Sequence, residues 1–305
     1  MKDHIFAKTT ALIQYLRHKE IDQIKWDRCI ENAINALPYA YSRYLNIAAE
    51  ENWDALVLDD YDAVFPIPFK NRVIFKQIYQ PFFVQQLGLF FTNQEQQNQL
   101  HYFINAIPSH FRKINLHLNV QNPALESFLK VKRKITHHIV LDKPYPQLIQ
   151  AYTTNTKRNL KKAASYKLKI IQDIMPADLI TYRKKYLGKE LRGTQSDTDQ
   201  NRLQKLMEML ISINKGFVSG VSGENEELLS LAFFIKSNGH LIFLSAVSTD
   251  TGKEKQAMTF LIDHILKTHA DSGLLFDFEG SMIPGLARYY KGFGGIEVQF
   301  PIVYK

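Results

Sequence analysis

The chain has 305 residues, of which 45% are apolar and 22% charged, a balance that excludes an intrinsically disordered chain. A formal charge of +8 permits a phosphate-bearing partner, and the single cysteine, Cys29, excludes an intrachain disulfide and a cysteine-rich zinc site. The first twenty residues hold scattered charges and no apolar stretch of signal-peptide length, and no run reaches the roughly 18 apolar residues of a membrane span, so a cytoplasmic protein without integral membrane contact is expected.

Residues 21–33 place Ile21, Ile24, Cys29 and Ile30 at helical spacing and predict a helix. Alternating segments at 55–59, 63–69 and 73–79 predict a three-stranded meander, with turns at 59–61 and 70–72. Pro66 and Pro68 mark an edge or a bulge in its second strand. A helix over 92–107, capped by Thr92 or Asn93, precedes a strand at 113–118, a short helix at 123–130 and a strand at 135–141. Asp142-Lys143-Pro144-Tyr145-Pro146 predicts a linker, which gives domains 1–141 and 142–305.

The second part repeats this plan. A helix over 147–165, a strand at 168–172 and helices over 176–187 and 198–214, the latter capped by Thr198 or Asp199, lead to a meander at 216–223, 228–236 and 241–247. A helix over 255–270, a strand at 274–278, a short helix at 284–291 and a strand at 297–304 complete the chain. The third meander strands begin near 73 and 241, the next strands near 114 and 274, and the late helices near 124 and 285. Displacements this similar predict an α/β (α+β) protein of two tandem domains, each a mixed, mostly antiparallel sheet flanked by helices. The charge is local: residues 152–192 hold 11 Lys and Arg against 3 acids, which matches the excess of the whole chain.

This order of elements, used twice, resembles the GNAT acyltransferase fold. SMIPGLARYYKGFGG (281–295) resembles the C-terminal signature of the FemABX-like aminoacyltransferases, in which a Gly-rich segment precedes a helix ending near Phe-Lys and Phe-Gly. Tyr290-Lys291 and Phe293-Gly294-Gly295 stand at those places. TKRNLKKAASYKLKI (156–170) resembles the basic helix and strand that open the second domain in that family, and residues 53–88 resemble a group of bacterial GNAT/FemAB-like proteins of unassigned function. The resemblance implies acyl or aminoacyl transfer to an amine of a peptide or amino-sugar acceptor by direct attack. It implies no tightly bound cofactor, with aminoacyl-tRNA or acyl-CoA as the donor. The alternatives are an acyl-CoA-dependent N-acetyltransferase and a non-catalytic GNAT-fold binding protein. GNAT members hold the CoA pyrophosphate on a Gln/Arg-x-x-Gly-x-Gly/Ala loop. STDTGKEKQAMTFL (248–261) stands there with Gly252 and the small Ala257 at a different spacing.

Within this frame the site residues follow. Asp277 and Glu279 flank Phe278 at a strand end, where alternation places both carboxylates on one face if the strand persists. Glu279, beside the Gly280 turn, is the preferred base for the amine proton, and a capping role is the alternative. Lys291, between Tyr290 and Phe293, suits developing negative charge or, with Tyr290, the donor, or is a surface lysine favoured at a helix C-terminus. Arg158 and Lys161, three apart, suit a donor phosphate or a solvated helix face. Trp53, Tyr79, Gln80, Gln85 and Gln86 form an aromatic and amide set, read as acceptor contacts between domains or as a packed interface. His137 and His138 alternate faces, so no metal site is expected, and neither a DNA partner nor a nucleophile triad is indicated.

Overall fold

A computed structural model describes residues 12–123, 129–172, 174–187, 195–280 and 282–305 of the chain. Residues 124–128, most of the helix predicted over 123–130, lie outside that set. The chain forms two compact units. The first contains residues 12–81, 86–123, 129–132 and 301–305, and the second contains 82–85 and the described residues from 133 to 300.

In the first unit, helix α1 (Gln23–Asn32) starts at Asp22, whose carboxylate accepts the N–H groups of Ile24 and Lys25. It buries Trp26, Cys29 and Ile30, and α2 (Ser42–Ala48) follows. Strands β1 (Ile13–Leu16), β2 (Trp53–Leu58), β3 (Ala63–Asn71) and β4 (Lys76–Ile78) pair antiparallel in that order, with β5 (Phe90–Phe91) on β3. After α3 (Leu100–Asn105), β6 (Phe111–His117) runs parallel to β4, and Ile302–Tyr304 pairs antiparallel with β6. Trp26, Tyr39, Tyr44, Trp53, Phe65, Phe90 and Phe103 are fully buried here. The meander is where expected, but β3 runs on through both prolines to Asn71 and the turn falls at Arg72–Phe75. β1 and α2 carry no strong period in the sequence and were not expected.

In the second unit, the helix expected over 147–165 is two helices, α4 (Tyr145–Leu148) and α5 (Thr154–Ala164). Tyr152 turns extended between them, and the Thr153 hydroxyl caps α5 by accepting the Thr156 N–H. Strand β7 (Lys130–Val140) enters this unit at Arg133. β8 (Lys169–Ile171), α6 (Pro176–Tyr186) and α7 (Asp197–Ser212) precede the meander β9 (Gly216–Ser222), β10 (Leu228–Ser237) and β11 (His240–Ser248). Ser196 caps α7 in a reciprocal box with Asp199, two residues before the cap expected from the sequence. The helix expected over 255–270 is α9 (Ala257–Thr268), and a short unexpected helix, α8 (Asp250–Glu254), precedes it, separated by Gln256 with a φ of 60°. β12 (Leu275–Asp277), α10 (Pro284–Lys291) and β13 (Ile296–Tyr304) complete the chain. The strands here follow the order β13-β7-β12-β11-β10-β9-β8, and from β7 to β8 the pairs are antiparallel except for the parallel pair β11 and β12. Leu261, Ile262 and Leu266 of α9 pack on this sheet with Phe234, Phe276 and Phe278.

The units do not follow a cut at 141/142. β7 lies mostly in the second unit, and residues 301–305 lie in the first. Each sheet is completed by a strand from the other half of the sequence, because strand pairing selects partners by edge geometry and not by sequence distance.

Candidate active site

The second unit opens a cavity where its two parallel strands part. β11 pairs with β12 only through His240, Leu241 and Ile242, opposite Leu275, Phe276 and Asp277. β12 ends there, while β11 continues to Ser248. Just past the last pair, Leu244 is an extra residue: Phe234 faces Phe243 and Phe233 faces Ser245. Such a bulge bends its strand and increases the twist. The result is a cavity of about 510 Å³ between residues 243–248 of β11 and the segment Phe278-Glu279-Gly280. Arg183 of α6, Met258 of α9 and Tyr289 and Tyr290 of α10 also line it.

Glu279 faces this cavity, but not by strand alternation. β12 ends at Asp277, and Glu279 and Gly280 take left-handed φ values of 57° and 62°. A left-handed non-glycine residue costs about 1–2 kcal/mol and requires support from its surroundings. Asp277 supplies it: its buried carboxylate accepts the Thr136 hydroxyl and, at 2.8 Å, the Glu279 N–H, with His138 Nε2 at 3.4 Å. The expected pairing of both carboxylates on one strand face is therefore corrected. Asp277 is buried as a brace, and Glu279 stands at the cavity. A Cβ on Gly280 would lie 2.1 Å from the Ile135 carbonyl oxygen, so only glycine fits this reversal.

Among the described residues two cations line the cavity: Lys253, which pairs with Asp250 at 3.2 Å, and Arg183, which sequence reading passed over. Its side chain is only 6% exposed, and its guanidinium donates to Gln200 Oε1 (3.2 Å), Ser245 Oγ (2.8 Å) and Gln195 Oε1 (3.1 Å). All three partners are neutral, and among the described residues no carboxylate pairs with it. Burial alone lowers its pKa to about 10, so it remains charged at neutral pH. The signal was present in the helical spacing of Pro176, Leu179, Ile180 and Arg183, the four buried residues of α6. The run Arg183-Lys184-Lys185 masked it as surface charge.

Tyr290 stacks on Phe278, with ring centroids 4.5 Å apart and an interplanar angle of 21°. Burial, then the charges of Glu279 and Asp277, push its hydroxyl up to about 12, so it stays protonated. Lys291, next to it, is half exposed, pairs with Glu297 at 2.7 Å and does not line the cavity. His137 lies behind Tyr290, its ring centroid 5.9 Å away, fully buried and with no hydrogen-bond partner at either ring nitrogen. Burial, then Lys291, lowers its pKa and keeps it neutral.

The remaining expected residues are dispersed. Arg158, held by Asn155 Oδ1 at 2.6 Å, and Lys161 are exposed on α5 and do not line the cavity. Gly252 is buried inside α8, its N–H donates to Thr249 Oγ1, and a Cβ there would lie 2.0 Å from the Leu229 carbonyl oxygen. It is a packing glycine whose amide is already engaged, not part of an open phosphate loop. Ala257 is fully buried at the start of α9. Of the expected acceptor residues, Trp53 is a core residue of the first unit, 4.9 Å from the Trp26 ring and bonded to Asn46, and it presents no surface to a ligand. Tyr79 lies under Lys70, Gln80 accepts the His117 N–H and Gln86 accepts the Val120 N–H in that unit. Gln85 belongs to the second unit, where its amide donates to Thr136 Oγ1 beside Asp277. Among the described residues no group of three or more His, Cys, Asp or Glu could hold a metal, and no helix is long and apolar enough to cross a membrane.

No family model and no curated protein matches this sequence. Solved structures do match in backbone. The crystal structure of FemX superposes with a TM-score of 0.67 at 11% identity, covering 94% of this chain and 96% of that one. A conserved protein of unknown function from Bacteroides thetaiotaomicron gives 0.61 at 10% identity, over 96% and 100%. L-PGS from Bacillus licheniformis gives 0.54 at 10% identity, over 86% and 87%. The chain thus has the fold that FemX has, along nearly its full length.

Proposed function

We propose that the second unit transfers an aminoacyl group to an amine of a peptide or amino-sugar acceptor in the cavity between β11 and β12. One observation carries the reading: a buried guanidinium with no carboxylate partner among the described residues and a carboxylate on a strained reversal line one cavity. A buried cation without a counter-charge is costly, and an anionic group on the incoming ligand offsets that cost. Among the described residues three of the five Arg183 N–H groups are engaged, and the other two are donors that a ligand can use. The fold shared with FemX and L-PGS supports the same reading.

In the proposed reaction the acceptor amine attacks the carbonyl carbon of the donor ester. A C–N bond forms, the C–O bond to the donor's ribose breaks, and no covalent enzyme intermediate is needed. Glu279 takes the amine proton and returns it to the departing hydroxyl. The protonated Tyr290 hydroxyl is the donor for the developing oxyanion. Lys291 acts on the donor from beyond Tyr290, and Arg158 and Lys161 hold donor phosphates outside the cavity. The engaged Gly252 amide favours aminoacyl-tRNA over acyl-CoA. We also read the two units as copies of one ancestral unit, because β4 runs parallel to β6 as β11 does to β12.

A transfer assay with labelled aminoacyl-tRNA or acyl-CoA, against peptide and amino-sugar acceptors, tests this. Amide product from aminoacyl-tRNA is expected. Saturable turnover of acyl-CoA alone would reassign the protein to the N-acyltransferases, and product from neither donor would leave a binding protein.

A further inference from the structure

The hairpin between β3 and β4 in the first unit presents an apolar tip. Val73 is 102% exposed and Ile74 is 74% exposed, at a turn closed by the Arg72 N–H on the Phe75 carbonyl at 2.8 Å. Single apolar side chains are common on protein surfaces, but two adjacent β-branched residues at the outermost point of a hairpin are not. Their collar is cationic. Lys70 and Arg72 are exposed on the same hairpin, and Lys113 of β6 reaches over the Phe75 ring at 5.7 Å. The contacts of Lys70 and Arg72 are the neutral Tyr79 ring and Gln77. Lys76 is the exception, since Asp54 answers its charge at 3.5 Å. From Ala63 to Gln94 the chain carries no Asp or Glu.

We propose that this hairpin tip docks the protein on an anionic lipid surface. Val73 and Ile74 enter the boundary between headgroups and acyl chains, and Lys70, Arg72 and Lys113 lie against the lipid phosphates. An aliphatic tip inside a basic collar is the pattern of interfacial binding, in which buried apolar area and attraction to anionic lipid add. The same cations facing RNA would be expected with aromatic stacking platforms at the tip, and valine and isoleucine offer no π-face. With two apolar side chains and three charges the attachment is weak, reversible and salt-sensitive. The proposal does not depend on the transfer reaction.

The test is sedimentation of the full chain with vesicles of phosphatidylcholine and phosphatidylglycerol at about 3:1, beside pure phosphatidylcholine vesicles. Binding to the anionic vesicles is expected, with loss in about 0.5 M salt and weak binding to the neutral ones. The double variant Val73→Asp, Ile74→Asp should lower the bound fraction at least about tenfold, and Lys70→Glu with Arg72→Glu should do the same. These side chains are exposed, so an unchanged melting temperature confirms that the variants fold. Equal binding of wild type and the Val73/Ile74 variant would overturn the proposal. So would binding to bulk tRNA that needs the cations but not Val73 and Ile74, which would make the hairpin an RNA contact. Self-association in the ultracentrifuge that the same variant abolishes, without vesicle binding, would make it a contact between two copies.

Discussion

The Arg183 guanidinium donates to the Ser245 hydroxyl at 2.8 Å, joining the last turn of α6 to the first residue past the Leu244 bulge of β11. The contact ties a buried cation to the strand that opens the cavity. Arg183→Gln should lower affinity for the anionic co-substrate by about ten- to a hundredfold, or about 1.4–2.8 kcal/mol. The melting temperature should change little, because the desolvation cost of a buried charge is removed together with its three hydrogen bonds to neutral partners. Calorimetric titration with the co-substrate beside thermal denaturation separates the two effects. Unchanged affinity would remove Arg183 from ligand binding.

Glu279→Gln keeps the size and the left-handed backbone but cannot take a proton. Turnover should fall by about 10²–10⁴-fold with KM little changed. In the wild type, activity should decline as pH falls and the carboxylate protonates, and that acid limb should vanish in the variant. A wild-type pH profile with no acid limb would exclude Glu279 as the base.

Lys291 pairs with Glu297 in a half-exposed position, so the ion pair contributes little to stability. Lys291→Ala should leave the melting temperature unchanged and lower transfer. The double variant Arg158→Ala, Lys161→Ala should weaken donor binding most at low salt. Full turnover in the first, or equal donor binding in the second, would return these residues to the solvated surface.

Gly280→Ala and Gly252→Ala should each destabilise the protein by more than about 2 kcal/mol, since each Cβ would collide with a backbone carbonyl oxygen. Denaturant unfolding measures this. A stable Gly252→Ala protein with impaired CoA binding would restore that glycine to a phosphate-binding role.

His137 and His240 are both held neutral, chiefly by burial, with pKa values below the ordinary 6.5. Well above pH 6.5 neither the folded nor the unfolded chain protonates them, so they leave stability independent of pH there. Below it the unfolded chain binds protons that the folded chain does not, so stability should fall as pH drops from about 6.5 toward the lowered values. His137→Phe should reduce this acid sensitivity. The same slope in the variant and the wild type would assign the effect to other groups.

The amino-acid sequence by itself determined the mixed α/β class and both meanders. These rest on local physics: the period of apolar residues and the turn residues act over fewer than about ten residues. Tertiary structure decided the rest. Phe243, Leu244 and Ser245 read as ordinary strand, and only pairing against Phe233 and Phe234 makes Leu244 a bulge. Arg183 reads as one of three adjacent cations, and only the packing of α6 beside β11 turns it inward. Glu279 reaches the cavity by a left-handed reversal and not by the expected strand alternation, because β12 stops at Asp277. Strand pairing, bulges and the desolvation of a charge depend on partners distant in sequence, and those partners exist only once the chain has folded.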